Sequence, residues 1–187
     1  MYEVELKVRA DHVTARRRLD ERGAERVAAV AQRDTYYDAP HRDFAETDEA
    51  LRIRRETPAD GDGEAESATK VTYKGPLVEA ESKTREEFET EVADDGAMAG
   101  ILRGLGFEEA AVVEKERERY SLDGYAVTLD RVDGLGEFVE VEREATEDRV
   151  ESVRKGAVAV LRSLDLDPDE GIRTSYLGLL LRENNQE

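Results

Sequence analysis

Apolar and polar residues alternate with a period of two at several places along the chain, the signature of half-buried β-strands. In the first such segment Tyr2, Val4, Leu6 and Val8 share one face, and Glu3, Glu5, Lys7 and Arg9 share the other. The alternation returns at 51–54, 70–74, 87–89, 127–130 and 138–142, with 115–120 as a more heavily charged relative. Helical spacing interrupts these strands. Asp11 is placed to cap a helix through Leu19 that stops near Gly23. A short helix is predicted over 96–105. A longer one follows Thr146, where Val150, Val153, Ala157, Val160, Leu161 and Leu164 recur at helical spacing. A last helix over 176–182 is predicted to pack as a terminal cap. The stretch 58–67 is acidic, glycine-bearing and aperiodic, and reads as a mobile hairpin loop between the Arg52 and Lys74 strands.

Many short strands in a chain of this size predict a sheet that curls or closes, and the helices are too few for an alternating βαβ scheme. The expected class is α+β, an antiparallel barrel or strongly bent sheet carrying outer helices. No repeat of fixed period and no second linker divides the chain, so residues 1–187 read as one domain.

Composition narrows the partners. With 40% charged residues and a net charge of −18, the chain would repel a phosphate backbone at every approach, which excludes non-specific nucleic-acid binding. An acidic surface in which arginine outnumbers lysine fits a protein of a salt-rich cytoplasm, so the charge is read as solubility rather than function. There is no cysteine, hence no disulfide and no thiolate metal site. No basic segment followed by an apolar one opens the sequence, and the longest apolar run, 176–181, is too short to span a bilayer. A cytoplasmic chain with no membrane partner is expected.

The polar strand faces carry the candidate chemistry. Charges are sorted by strand: Glu3 with Glu5, then Lys7; Arg52 with Arg54; Lys70 with Lys74; Glu87 with Glu89; Lys115 with Arg117; Glu140 with Glu142. Residues two apart on a strand project side by side, so each such pair is a two-pronged group, and Lys70 and Lys74, four apart, share a face. If the sheet closes with this face inward, carboxylate and cationic pairs meet across one cavity. Carboxylates hold Mg²⁺ or Mn²⁺, Arg and Lys grip phosphate oxygens, and a polyphosphate bridges the two sets. The same alternation is equally compatible with a solvated outer face laced with ion pairs. Lysine placement tilts the balance, because Lys7, Lys70, Lys74, Lys83, Lys115 and Lys155 are the only lysines and most stand at matching strand positions.

These residues resemble a known family. Glu3-Val4-Glu5-Leu6-Lys7 is similar to the ExExK signature of the CYTH superfamily, the triphosphate tunnel metalloenzymes. Blocks at 32–38, 50–54, 72–76, 85–89, 115–117 and 129–142 follow in family order, so the resemblance covers nearly the whole chain. It is greatest to the branch named for class IV adenylyl cyclases. It implies an eight-stranded antiparallel tunnel with the charged faces inward. It also implies metal held by Glu3, Glu5, Glu140 and Glu142, with Asp130, Glu87 and Glu89 completing one or two sites. Lys7, Arg52, Arg54, Lys74, Lys115 and Arg117 would grip phosphates, with Lys7, Lys74 and Lys115 assigned as the catalytic cations that neutralise the leaving group. Gly134 and Gly136 fit a tight hairpin between the last two strands, and a homodimer is the assembly the resemblance suggests.

Other residues are read as unremarkable. His12 and His41 have no partner pattern and are placed at the surface, Tyr36 and Tyr37 are taken to pack a strand, and Arg16, Arg17 and Arg18 form a solvated helix face. Three functions remain open. One is a class IV-type adenylyl cyclase converting ATP to cyclic AMP and pyrophosphate, the reading the blocks favour. Another is a triphosphatase acting on tripolyphosphate or thiamine triphosphate. The third is a non-catalytic polyphosphate- or nucleotide-binding module.

Overall fold

Eight strands close into one antiparallel barrel in the computed structural model, which describes residues 2–59, 67–77 and 84–184. They are β1 (Tyr2–Arg9), β2 (Glu25–Asp38), β3 (Ala50–Pro58), β4 (Ala68–Lys74), β5 (Arg85–Glu91), β6 (Glu108–Leu122), β7 (Tyr125–Val132) and β8 (Gly136–Ala145). Their order around the barrel is β1-β5-β4-β3-β2-β6-β7-β8. The ladders are long except at one seam. β1 runs along β8 from Tyr2 opposite Ala145 to Arg9 opposite Phe138, but meets β5 only through Tyr2 opposite Glu86 and Glu3 opposite Arg85. Gly134 and Gly136 take φ of 79° and 95° in the β7–β8 hairpin, which an L side chain would resist. Of the acidic 58–67 loop, residues 60–66 lie outside the described residues.

Among the described residues there are five α-helices: α1 (His12–Glu21), α2 (Phe44–Thr47), α3 (Asp95–Gly104), α4 (Val150–Ser163) and α5 (Tyr176–Asn184). The Asp11 carboxylate accepts the Thr14 N–H at 2.8 Å, the cap that the sequence predicted for α1. Three features differ from the expectation. β6 is much longer than the block read from alternation, and β2 than the block marked by the resemblance, because their alanine-containing halves, 25–31 and 108–114, have little strand signature of their own. They are strands because they pair with each other along nearly their whole length. α2 was not anticipated; Asp43 caps this single turn through the N–H groups of Ala45 and Glu46. His12 is buried rather than at the surface, 3% exposed, with its Nε2 3.0 Å from the Phe138 carbonyl.

The barrel is built inside out relative to one filled by apolar side chains. Val4, Leu6 and Val8 of β1, Val127 and Leu129 of β7, and Val139 and Val141 of β8 face outward beneath α1 and α4. There they meet Leu19, Val153, Ala157, Val160 and Leu161. Burying these outward rows at roughly 25 cal/mol per Å² of apolar surface holds the wall rigid. The alternate rows of these strands, Glu3, Glu5 and Lys7 on β1 and Glu140 and Glu142 on β8, are thereby turned into the lumen.

Candidate functional site

The inward rows of the strands line a cavity of about 310 Å³. Glu3, Glu5, Lys7, Arg52, Arg54, Lys74, Glu87, Glu89, Lys115, Arg117, Glu140 and Glu142 all reach it. Among the five described lysines, Lys7, Lys70, Lys74 and Lys115 line the lumen, and Lys155 stands exposed on α4 beside Glu151. The depletion of lysine elsewhere is thus a signature of the lumen.

Three carboxylates form the acidic corner. Glu5 faces Glu142 directly across the β1–β8 ladder, and Glu3 lies one step along. One oxygen from each falls within 4.8 Å of the others. Crowding of like charge in a buried corner has consequences. Burial pushes the Glu142 carboxyl up to about 7, and Glu3, Glu140 and Glu5 add to this against Arg117. Burial would also raise Glu3, but Lys74 and the hydrogen bonds from Glu87 and Lys74 outweigh it and bring Glu3 down to about 2. Burial and the Glu3 charge raise Glu87 against the pull of Lys74, so the proton of that carboxyl pair belongs to Glu87. Lys74 Nζ lies 2.7 Å from both. Hard oxygen donors so arranged fit Mg²⁺ or Mn²⁺, because a divalent cation relieves a repulsion that the protein otherwise meets by protonation.

This predicts a pH-dependent metal effect. With its folded pKa raised from 4.5 to about 7, Glu142 contributes stability that is full below the lower value and lost as pH rises through the upper one. Metal needs the deprotonated form. The rise in melting temperature on adding Mn²⁺ is therefore expected to be small near about pH 5.5 and larger near about pH 8. Equal shifts at the two pH values, read by thermal melts, would remove Glu142 from the metal site.

The cations are held by two buried aspartates. Asp34, 1% exposed, accepts from Arg54 Nε and Nη2 at 2.6 Å each and from Arg52 Nη1 at 3.3 Å. Burial opposes its charge, but Arg52, Arg54 and Lys115 hold it far below the usual carboxylate range. Asp130 plays the same part on the opposite wall, accepting Arg117 Nε at 2.6 Å with Lys115 Nζ at 3.4 Å. It is fully buried and is absent from the residues that line the cavity, unlike the other sequence-derived candidates for metal. Glu140 is likewise engaged, accepting Arg117 Nη2 at 2.6 Å with Lys7 at 3.5 Å. Glu89 accepts from Lys70 at 3.1 Å and Thr72 at 2.9 Å. Burial and the neighbouring Arg117 and Arg54 push Lys115 down to about 7 against Asp130 and Asp34. An arriving phosphate would recharge it.

Several residues that build or line the site escaped the sequence reading. Asp34 has no like-charged residue two positions away to mark it. Glu56 accepts from both Gln32 and Arg119, and no charged block announces that group. Tyr36 faces the cavity while its neighbour Tyr37 packs outward with Ile53 and Leu102, a split that strand alternation requires. Tyr176, the first residue of α5, also lines the cavity. Lys7 and Lys115 sit 4.1 and 4.8 Å from its ring centroid. Two donors facing the lumen, Arg52 Nε and the Tyr176 hydroxyl, are buried without an acceptor among the described residues. The arrangement can neutralise several anionic oxygens at one end of a ligand while carboxylates hold a cation beside them.

Known proteins share this plan. The PH1819 protein of Pyrococcus horikoshii superposes with a TM-score of 0.87 at 37% identity, over 97% of this chain and 99% of that one. A putative adenylyl cyclase from Hippeastrum, described as having a dominant triphosphatase activity, shares the fold with a TM-score of 0.64 at 20% identity. It covers 98% of this chain, and 95% of its own is matched. The putative adenylate cyclase MJ0240 of Methanocaldococcus jannaschii is 38% identical over 181 residues, 96% of this chain and 98% of that protein. The CYTH domain model matches residues 1–176. A match of that extent, on a closed eight-stranded barrel with a charged lumen, means that the chain belongs to the CYTH domain family.

Proposed function

We propose that the chain is a divalent-metal-dependent enzyme acting on a triphosphate within the barrel, and that its reaction is hydrolysis of a compact triphosphate. The observation that carries this reading is one 310 Å³ cavity, at the lower end of the roughly 300–1,000 Å³ range of ligand pockets, walled by a carboxylate triad and, among the described residues, nine lysine and arginine side chains. Among the described residues that line it only Tyr36 and Tyr176 are aromatic, and both belong to one packed cluster at the α5 end of the barrel. The remainder of the wall offers ion pairs rather than an apolar shelf for a base.

Within this reading Glu3, Glu5 and Glu142 hold Mg²⁺ or Mn²⁺. The metal would polarise phosphoryl oxygens and lower the pKa of the attacking oxygen. Arg52, Arg54, Lys7, Lys115 and Arg117 bind and orient the phosphates, fixed beforehand by Asp34, Asp130 and Glu140, so little reorganisation is needed as charge shifts to the leaving group. Glu89 is paired with Lys70 and Thr72 and serves the rim, and Asp130 positions cations.

Cyclisation of ATP is the second reading, favoured by the name of the Methanocaldococcus relative. The test is a product assay at high salt with Mg²⁺ or Mn²⁺, offering tripolyphosphate and ATP in parallel. Orthophosphate from tripolyphosphate, with ATP left uncyclised, is the expected result. Cyclic AMP with pyrophosphate would establish the second reading, and tight binding without turnover of either would leave a binding module.

A further inference from the structure

The C-terminal helix was expected only to cap the barrel, yet its first turn opens into the lumen: Ser175, Tyr176 and Leu177 all line the cavity. We propose that this turn is the seat of a phosphoryl group of a triphosphate, with the Tyr176 hydroxyl donating a hydrogen bond to one of its oxygens. The inference rests on the reading that the lumen takes triphosphates and assigns one of the phosphoryl groups to a particular place.

Four observations meet there. Tyr176 is 6% exposed and its hydroxyl has no acceptor among the described residues. Its ring packs among Val113, Val132, Leu135 and Phe138, with the Phe138 centroid 5.0 Å away, surroundings that a phenylalanine would satisfy without burying a hydroxyl. A buried hydroxyl left unpaired is destabilising, and a ligand oxygen removes that penalty.

Lys7 and Lys115 rest against the same ring, and their carboxylate neighbours stand 3.4–3.7 Å away, too far for a close hydrogen bond. Both ammonium groups thus have donors to offer an anion. The first N–H groups of any α-helix lack partners within it, and the nine-residue α5 points that end at the cavity, where its dipole favours negative charge. Ser175 reinforces the turn by accepting the Gly178 N–H at its Oγ, 3.0 Å away. Burial, together with Glu140 and Asp130, raises the phenol well above its ordinary pKa and keeps its proton available for donation.

Tyr176→Phe keeps the ring, its packing and its contact with both lysines, and removes only the donor. Calorimetric titration of wild type and variant with tripolyphosphate, with KM measured in parallel, tests the inference. The variant is expected to bind roughly tenfold or more weakly, with KM raised by a similar factor. Its melting temperature should be equal to that of wild type or higher, since an unpaired buried hydroxyl has gone. Wild type and Tyr176→Phe binding tripolyphosphate alike would overturn the seat while leaving the triphosphate reading intact. Wild type failing to bind tripolyphosphate would overturn both.

Discussion

Glu5→Gln is expected to lower metal-dependent turnover by at least about a hundredfold, about 2.7 kcal/mol of transition-state stabilisation, without unfolding the protein. Glu5 stands opposite Glu142 in the β1–β8 ladder and belongs to the triad whose oxygens lie within 4.8 Å of one another. Glutamine matches glutamate in size and keeps an oxygen, but it carries no charge to hold a divalent cation. Two independent readouts separate loss of metal from loss of fold. Removing one of three crowded carboxylates relieves repulsion, so the metal-free variant should melt no lower than metal-free wild type. The stabilisation that Mn²⁺ gives wild type should largely disappear in the variant. Turnover within about tenfold of wild type, about 1.4 kcal/mol, would place the metal elsewhere.

The parts of this site that were legible in the sequence are those whose physics is local. Alternation on β1 separated Val4, Leu6 and Val8 from Glu3, Glu5 and Lys7, and the two rows do face the helices and the lumen. What alternation could not decide was which face turns inward, since a wet outer sheet would show the same pattern. The scarcity of lysine was the better guide, and the family resemblance resolved it. Asp34 and Tyr176 were illegible for a different reason. Asp34 acquires its role from Arg54, its register partner on the neighbouring strand, and nothing within β2 reports that pairing. Tyr176 acquires its role from Lys7 and Lys115, which are distant in sequence. Asp130 shows the converse: the resemblance implied a metal ligand, and its oxygens are both engaged by Arg117, which lies opposite it in the β6–β7 ladder. His12 looked like a surface residue at a helix start, and only the docking of α1 against β8 buries it.

Asp34→Ala is the other large expected effect, and it falls on stability first. The two guanidinium groups that Asp34 holds are themselves buried, with Arg52 at 8% and Arg54 at 5% exposure. Removing the carboxylate leaves two buried cations facing each other without the counterion that both of them hydrogen-bond. Breaking a buried pair in this way costs about 3–5 kcal/mol, which in a domain of this size lowers the melting temperature by roughly 6–20 °C. The exposed pair of Arg33 with Glu114 offers the contrast, for Glu114→Ala should cost about 1 kcal/mol or less. Because the Asp34 pKa is depressed, its contribution is fully present above the unfolded value of 3.8 and is lost as pH falls through the folded value below it. The deficit between wild type and variant should therefore be constant near neutrality and narrow in acid. A polyanion can replace the missing carboxylate, so tripolyphosphate should raise the melting temperature of Asp34→Ala by more than it raises that of wild type. A variant that melts within about 2 °C of wild type near neutral pH would show that Asp34 does not hold the arginines. In that case phosphate recognition would have to rest on Arg117 and the lysines alone.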